Sequence, residues 1–310
     1  MNTARTLEVP SRRPLGEALA EGTVLLDGGL SNQLEAQGCD LSDALWSARL
    51  LADAPQQIEA AHTAYARAGA QVLITASYQA TFEGFGRRGI GRARAAELMA
   101  GSVESARRAG AVTGREQWVA ASIGPYGAML ADGSEYRGRY GLTVRELESF
   151  HRPRAETLAE AGPDALALET VPDIDEAEAL LRVVQDLGVP VWLSYSVADG
   201  RTRAGQPLEE AFGLVAGIDQ VMAVGVNCCD PADADRAVEA AAATGKPVVV
   251  YPNSGEWWDA TARRWTGSGT FEAARVRDWQ RAGARLIGGC CRVGPRDIEE
   301  LAGRVGWSGV

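Results

Sequence analysis

Gly225-Val226-Asn227-Cys228 and Gly288-Gly289-Cys290-Cys291-Arg292 each follow a short apolar run that reads as a buried strand, 221–226 and 285–287. If both strands belong to one sheet, three sulfurs converge at the same strand ends. Three thiolates with a fourth position open describe a catalytic zinc site, because a structural site fills all four positions with protein ligands. Zinc accepts sulfur readily, and an all-sulfur site with an open position suits a substrate that is itself a thiol. Cys290 and Cys291 are adjacent and would point apart on an ideal strand. Gly288 and Gly289 are expected to relax the backbone and turn both sulfurs toward one metal. Alone, the doublet reads more readily as two buried structural thiols or an occasional vicinal disulfide; the distant Asn-Cys favours the metal. Spacing leaves Cys228 and Cys229 competing for the third ligand position. Cys229 opens Cys229-Asp230-Pro231 at the start of the next helix, which favours a structural role, and Cys39 reads as a plain thiol in an early loop.

Two carboxylates stand at other strand ends. Asp27 is followed by Gly28-Gly29, where exposed amides beside a carboxylate can hold the two charged groups of an amino acid; the alternative is a turn aspartate. Glu169 closes an otherwise apolar strand, a costly place for an unpaired charge and hence a functional candidate. The two histidines, His62 and His151, fall in helical patterns away from strand ends and read as packing or surface residues. Trp257, Trp258 and Trp265 follow Tyr251 in a long loop, either as shelter for a cation or as packing of a lid. Gly84-Phe85-Gly86 does not form a strand–GxGxxG–helix unit, so no dinucleotide fingerprint is present.

The elements that would carry these residues alternate strictly. Strands are expected at 24–27, 72–75, 118–121, 165–169, 191–196, 221–226, 248–251 and 285–287. Helices are expected at 55–68, 92–109, 144–161, 175–187, 208–216, 232–243, 271–282 and 295–305. Five of the helices end at a glycine (Gly69, Gly162, Gly188, Gly245, Gly283), the stop signal before the next strand. Eight βα units in 310 residues predict a single (β/α)8 TIM barrel spanning 1–310 with a core of about 22–305; a doubly wound sheet is the alternative. In a barrel the strand C-termini form the active site, and the polar residues concentrate there.

Composition narrows the partners. The formal charge is −10, which argues against nucleic acid and anionic membranes. No run approaches the roughly 20 apolar residues of a membrane span, and the first 14 residues lack the apolar core of a secretory signal. Five cysteines, an odd number with two adjacent pairs, make a poor disulfide framework, so a cytoplasmic setting is expected.

From Leu25 to Arg304 the chain resembles the homocysteine S-methyltransferase family. The resemblance is carried by Leu26-Asp27-Gly28-Gly29-Leu30, Leu45-Trp46-Ser47-Ala48, Thr75-Ala76-Ser77-Tyr78-Gln79-Ala80 and Ala121-Ser122-Ile123-Gly124-Pro125-Tyr126-Gly127. Further segments are Ala131-Asp132-Gly133-Ser134-Glu135-Tyr136, Glu169-Thr170-Val171-Pro172, Tyr251-Pro252-Asn253-Ser254-Gly255-Glu256 and the two cysteine signatures. The Tyr251–Glu256 segment looks like the branch using S-methylmethionine or S-adenosylmethionine. The resemblance implies Zn2+ on Cys228, Cys290 and Cys291, with Asp27 and Glu169 holding the homocysteine ammonium and with Gly28 and Asn227 among the substrate contacts. It implies methyl transfer from a sulfonium donor to the homocysteine thiolate, giving methionine. Betaine-using relatives carry an aromatic where Thr170 stands and extend further at the C-terminus; lacking that extension, a monomer is expected. Ala76 and Val293-Gly294-Pro295 depart from the family pattern without removing a ligand.

Overall fold

The computed structural model describes residues 13–43, 45–259 and 264–305, with the side chains of 257–265 outside the described set. The expected tryptophan cluster at 257, 258 and 265 therefore lies outside the described side chains, as do the first 12 residues of the segment read as lacking a secretory signal.

Eight parallel strands form one sheet: β1 (Val24–Leu25), β2 (Val72–Ile74), β3 (Trp118–Ile123), β4 (Ala165–Val171), β5 (Val191–Tyr195), β6 (Val221–Asn227), β7 (Val248–Tyr251) and β8 (Ala284–Ile287). Each pairs with its sequence neighbour, and β8 pairs with β1. The sheet closes between β1 and β2 through the Leu26–Val72 bridge. Side chains stitch this seam. Gln71 Oε1 accepts from the Leu25 amide at 3.0 Å, and Asp27 Oδ2 accepts from the Ile74 amide at 2.8 Å.

The outer helices are α1 (Pro55–Ala68), α2 (Arg92–Ala111), α3 (Val144–Glu160), α4 (Ile174–Val184), α5 (Leu208–Gly213), α6 (Pro231–Ala242), α7 (Val276–Arg281) and α8 (Pro295–Val305). Local chemistry sets their starts. Thr143 and Glu146 form a capping box on α3, and Asp230 caps α6 ahead of Pro231 at its first position, where proline's missing N–H costs nothing. All five glycines read as stops have positive φ, as a left-handed helix end requires. The TIM barrel expected from the βα alternation is the fold observed, with boundaries shifted by a few residues. Short helices, including Leu30–Ala36, Ser47–Asp53, Phe82–Arg87 and Tyr126–Leu130, and the antiparallel strand pairs 197–198 with 201–202 and 257–259 with 264–266 decorate the loops.

Strand alternation divides the core. Val24, Leu26, Val72, Ile74, Trp118, Trp192, Val249 and Leu286 fill the barrel interior with small partners such as Ala120, Ala167 and Ala223. The alternate residues pack against the helices. A helix before the expected core boundary, Leu15–Glu21, contributes Leu15, Ala18 and Leu19 to the interior cluster, and the Arg13 carbonyl accepts from the Trp118 indole at 3.0 Å. The strand N-termini are thereby plugged, and the other end stays open for the site.

Candidate functional site

The inward alternation that places Trp118, Ala120, Ala165, Ala167 and Ala223 in the interior continues upward to Ser122, Glu169 and Asn227. These residues, with Asp27 and Tyr251, form a polar layer at the strand C-termini, and all five are buried.

Cys228, Cys290 and Cys291 meet at this end of the barrel. Their sulfurs are 3.4 Å apart for 228–290, 3.8 Å for 228–291 and 3.9 Å for 290–291. Thiolates about 2.3 Å from a common centre at tetrahedral angles would stand about 3.8 Å from one another. The three side chains thus fit one soft metal ion, and all three line the same cavity. Without a metal the sulfurs share protons: donation from Cys290 and then Cys291 pulls the Cys228 thiol well down, and those same hydrogen bonds to Cys228, with burial and the Cys228 charge adding, push the other two up.

The backbone achieves this convergence at two places. Cys228 itself has φ 53, a strained value for a residue with a Cβ. Gly288 and Gly289 have no positive φ; they are needed for close approach. A Cβ on Gly288 would lie 2.7 Å from the Asp27 carbonyl, and one on Gly289 would lie 2.4 Å from Val293 Cγ1. The expected conformational release is thus a packing requirement. Tyr251-Pro252-Asn253-Ser254 then braces the doublet. The Pro252 carbonyl accepts from Cys290 N at 2.7 Å, Asn253 Oδ1 accepts from Cys291 N at 3.1 Å, and the Cys291 carbonyl accepts from Ser254 N at 2.9 Å. Cys229 is fully buried in the strand–helix core, with its thiol pushed up by that burial, and Cys39 packs on the same core.

A cavity beside the sulfurs is lined by Asp27, Gly28, Tyr78, Glu135, Tyr136 and Glu169, among others, and among the described residues no lysine or arginine lines it. Glu169 lies within β4, two residues before its end. The register with β5 shifts between Leu168 and Val171, and Thr170 has φ 58. This irregularity lets Glu169 keep its inward aim while the strand continues. Glu169 Oε1 accepts from the Ser122 hydroxyl. Burial raises its carboxyl to about 7; the Ser122 bond opposes the rise and the Cys228 charge adds to it. Asp27 is pushed well up by burial, against hydrogen bonds from the Ile74 amide and the Tyr251 hydroxyl, the latter at 3.0 Å.

Asn227 does not line the cavity. Its Oδ1 accepts from the Thr170 amide at 2.6 Å, and its Nδ2 donates to Thr170 Oγ1 at 2.8 Å and reaches Glu169 Oε2 at 3.4 Å. It ties β6 to β4, so that the residue before Cys228 fixes Glu169. Gly28 does line the cavity, but the Gly29 amide donates to the Val293 carbonyl at 2.9 Å, so the expected pair of exposed amides is reduced. His62 is fully buried on α1 as a packing residue and His151 is fully buried on α3 between Glu176, 2.9 Å from its Nε2, and Arg154, 2.8 Å from its Nδ1; burial holds each at about 4.

Sequence reasoning gave no role to Tyr78, Glu135 or Tyr136. The Tyr136 hydroxyl stands 3.2 Å from Cys228 Sγ, and burial raises Glu135 to about 7, with the Cys228 charge adding to the rise. Inward strand parity could have flagged Ser122; nothing local marks the 134–136 turn, which reaches the site from a loop. Among the described residues no helix is long and apolar enough to cross a membrane.

Residues 24–305 match the family model described as homocysteine S-methyltransferase. The chain is 46% identical to homocysteine S-methyltransferase of Escherichia coli K12, covering 91% of this chain and 94% of that one. It is 43% identical to homocysteine S-methyltransferase YbgG of Bacillus subtilis 168, covering 90% and 93%. The metallated crystal structure of the homocysteine methyltransferase MmuM from Escherichia coli superposes with a TM-score of 0.85 at 43% identity, covering 94% of this chain and all of that one.

Proposed function

The chain belongs to the homocysteine S-methyltransferase family, a methyltransferase giving methionine, and from that premise we propose zinc-dependent transfer of a methyl group from a sulfonium donor to L-homocysteine. The observation that carries the reading is the joining of three converging sulfurs to a cavity lined by the buried carboxylates of Asp27, Glu135 and Glu169. Cys228, Cys290 and Cys291 would hold the metal. When bound, zinc would stabilise a substrate thiolate at neutral pH, well below the usual thiol pKa of about 8.5.

The remaining work falls to side chains. Asp27 and Glu169 take the homocysteine ammonium, which supplies the counter-charge that two buried carboxylates lack. The Gly28 backbone packs beside them, and Asn227 acts on substrate through Glu169. The homocysteine sulfur attacks the donor methyl carbon in line: a new S–C bond forms as the old one breaks, and its electron pair leaves on the donor sulfur. A neutral thioether departs, so no general acid is required, in keeping with histidines that sit in the helices. The protein contributes alignment and exclusion of water.

S-methylmethionine is the proposed main donor and S-adenosylmethionine a slower one. Thr170 stands where a betaine cage would need an aromatic. We place the protein in the cytoplasm as a single-domain monomer acting on small molecules. Mass spectrometry of products from homocysteine with each donor tests the reading: methionine should form with S-methylmethionine, more slowly with S-adenosylmethionine, and not above background with betaine. Turnover of betaine with both sulfonium compounds inert would overturn it.

A further inference from the structure

A third carboxylate of the pocket has no role in the acceptor chemistry above. Glu135 is 8% exposed, and its Oε2 is buried without a hydrogen-bond partner among the described residues. It lines the same cavity as Tyr78, Tyr136 and Cys228. Its backbone is held firmly. The Ser134 amide donates to Asp132 Oδ1 at 3.0 Å, and the Ser134 carbonyl accepts from Gly138 N at 2.9 Å. The helix Tyr126–Leu130 presses on the turn so closely that a Cβ on Gly127 would lie 2.4 Å from Glu135 N. Asp27 and Glu169 have protein donors for their oxygens; the Glu135 oxygen has none, and a buried charge left unpaired is costly until a cation reaches it.

We propose that Glu135 binds the ammonium group of the methyl donor and so selects a net-cationic amino-acid sulfonium over a zwitterion such as betaine. The assignment rests on the sulfonium-donor reading above. Charge considerations choose the ammonium over the sulfonium as its partner. The sulfonium charge vanishes as the methyl group leaves, so a carboxylate placed against it would favour the ground state and slow the chemical step. The ammonium charge is the same before and during transfer, so a carboxylate there tightens donor binding uniformly. The carboxylate of betaine, close to its quaternary nitrogen, would be repelled by the same oxygen.

The test is steady-state kinetics of the metal-loaded Glu135→Gln enzyme with two donors, S-methylmethionine and trimethylsulfonium, the second having no ammonium. For S-methylmethionine, KM should rise about 10- to 150-fold, the effect of one hydrogen bond to a charged group, with kcat held within about threefold. The same substitution should shift kcat/KM for trimethylsulfonium less than about threefold. KM for homocysteine and metal content should match the unsubstituted chain, which a merely structural role would not spare. An unchanged KM for S-methylmethionine, or equal losses with both donors, would overturn the assignment. An unsubstituted enzyme inert with S-methylmethionine would refute the donor reading itself, and this assignment with it.

Discussion

Replacing Glu169 by glutamine removes a charge while keeping its shape, and the consequence can be worked from its surroundings. The side chain is 6% exposed, accepts from the Ser122 hydroxyl and lies 3.4 Å from Asn227 Nδ2. A glutamine can keep the Ser122 bond through its oxygen, but it offers no charge to a ligand ammonium. A hydrogen bond to a charged group is worth about 1.5–3 kcal/mol, so affinity for an amino-acid ligand should fall about 10- to 150-fold. The pH profile supplies a second signature. The Glu169 carboxyl is raised to about 7, and an arriving ammonium requires it ionised. Below that pH the empty site must first release a proton, costing about a factor of ten in affinity per pH unit; above it the dependence levels off. Glutamine has no such proton, so the variant should lose this step and keep only that of Asp27. Calorimetric titration of L-methionine from about pH 5.5 to about pH 8 reads both effects without a ligand thiol to titrate. Affinity within twofold of the native protein, with the same pH step, would refute the placement of the acceptor ammonium on Glu169.

Cys291→Ser should lose most bound metal and activity while Cys39→Ser loses neither; elemental analysis beside an activity assay decides, and a metal-replete, active Cys291→Ser sinks the ligand set. Gly289→Ala puts a Cβ 2.4 Å from Val293 Cγ1 and should displace the doublet, weakening metal affinity by about tenfold or more with circular dichroism unchanged; unaltered affinity would show that close packing there does not set the sulfurs. Glu135 in the metal-free protein has a folded pKa of about 7, above its unfolded value near 4.3. The folded chain therefore holds the extra proton between the two, and stability from this group is full at low pH and lost as pH rises through about 7. Metal-free Glu135→Gln should accordingly gain on the native chain as pH increases, toward about 3 kcal/mol by pH 8. Chemical denaturation of both proteins at several pH values checks this, and the buried His62 and His151 contribute equally to each; a difference that is flat with pH, or that runs the other way, contradicts the buried charge.

The barrel was legible because its strands are short apolar runs and its helices end in glycine, both local signals. The convergence of Cys228, Cys290 and Cys291 was legible because cysteine is rare here and the two signatures follow strands. Glu169 stood out as a carboxylate in an apolar run, yet the bulge at Leu168–Val171 that aims it, and the left-handed turn at Cys228, depend on neighbouring strands that no local pattern encodes. The pairing of Asn227 with Thr170 joins β6 to β4 over a long stretch of chain, so Asn227 read as a substrate contact when its bonds go to protein. The helix Leu15–Glu21 was missed for want of a strand before it, and Glu135 because a three-residue turn has no periodicity to betray its aim.

Asp27 has two employers. One oxygen completes the β1–β2 seam by accepting from the Ile74 amide, and the other is held by Tyr251 across the barrel mouth. Any redesign of this protein toward a different thiol or selenol acceptor meets that constraint first. A replacement at position 27 must still offer the Ile74 amide an acceptor, because the β1–β2 junction is otherwise held by a single strand bridge, Leu26–Val72, and the Gln71–Leu25 bonds. Glu169 sits on the opposite arc, in the middle of the sheet, where β4 is paired with strands on both sides. Altered acceptor preference is therefore more readily reached from the Glu169 side, and libraries that hold Asp27 fixed should retain far more folded members than libraries that vary it.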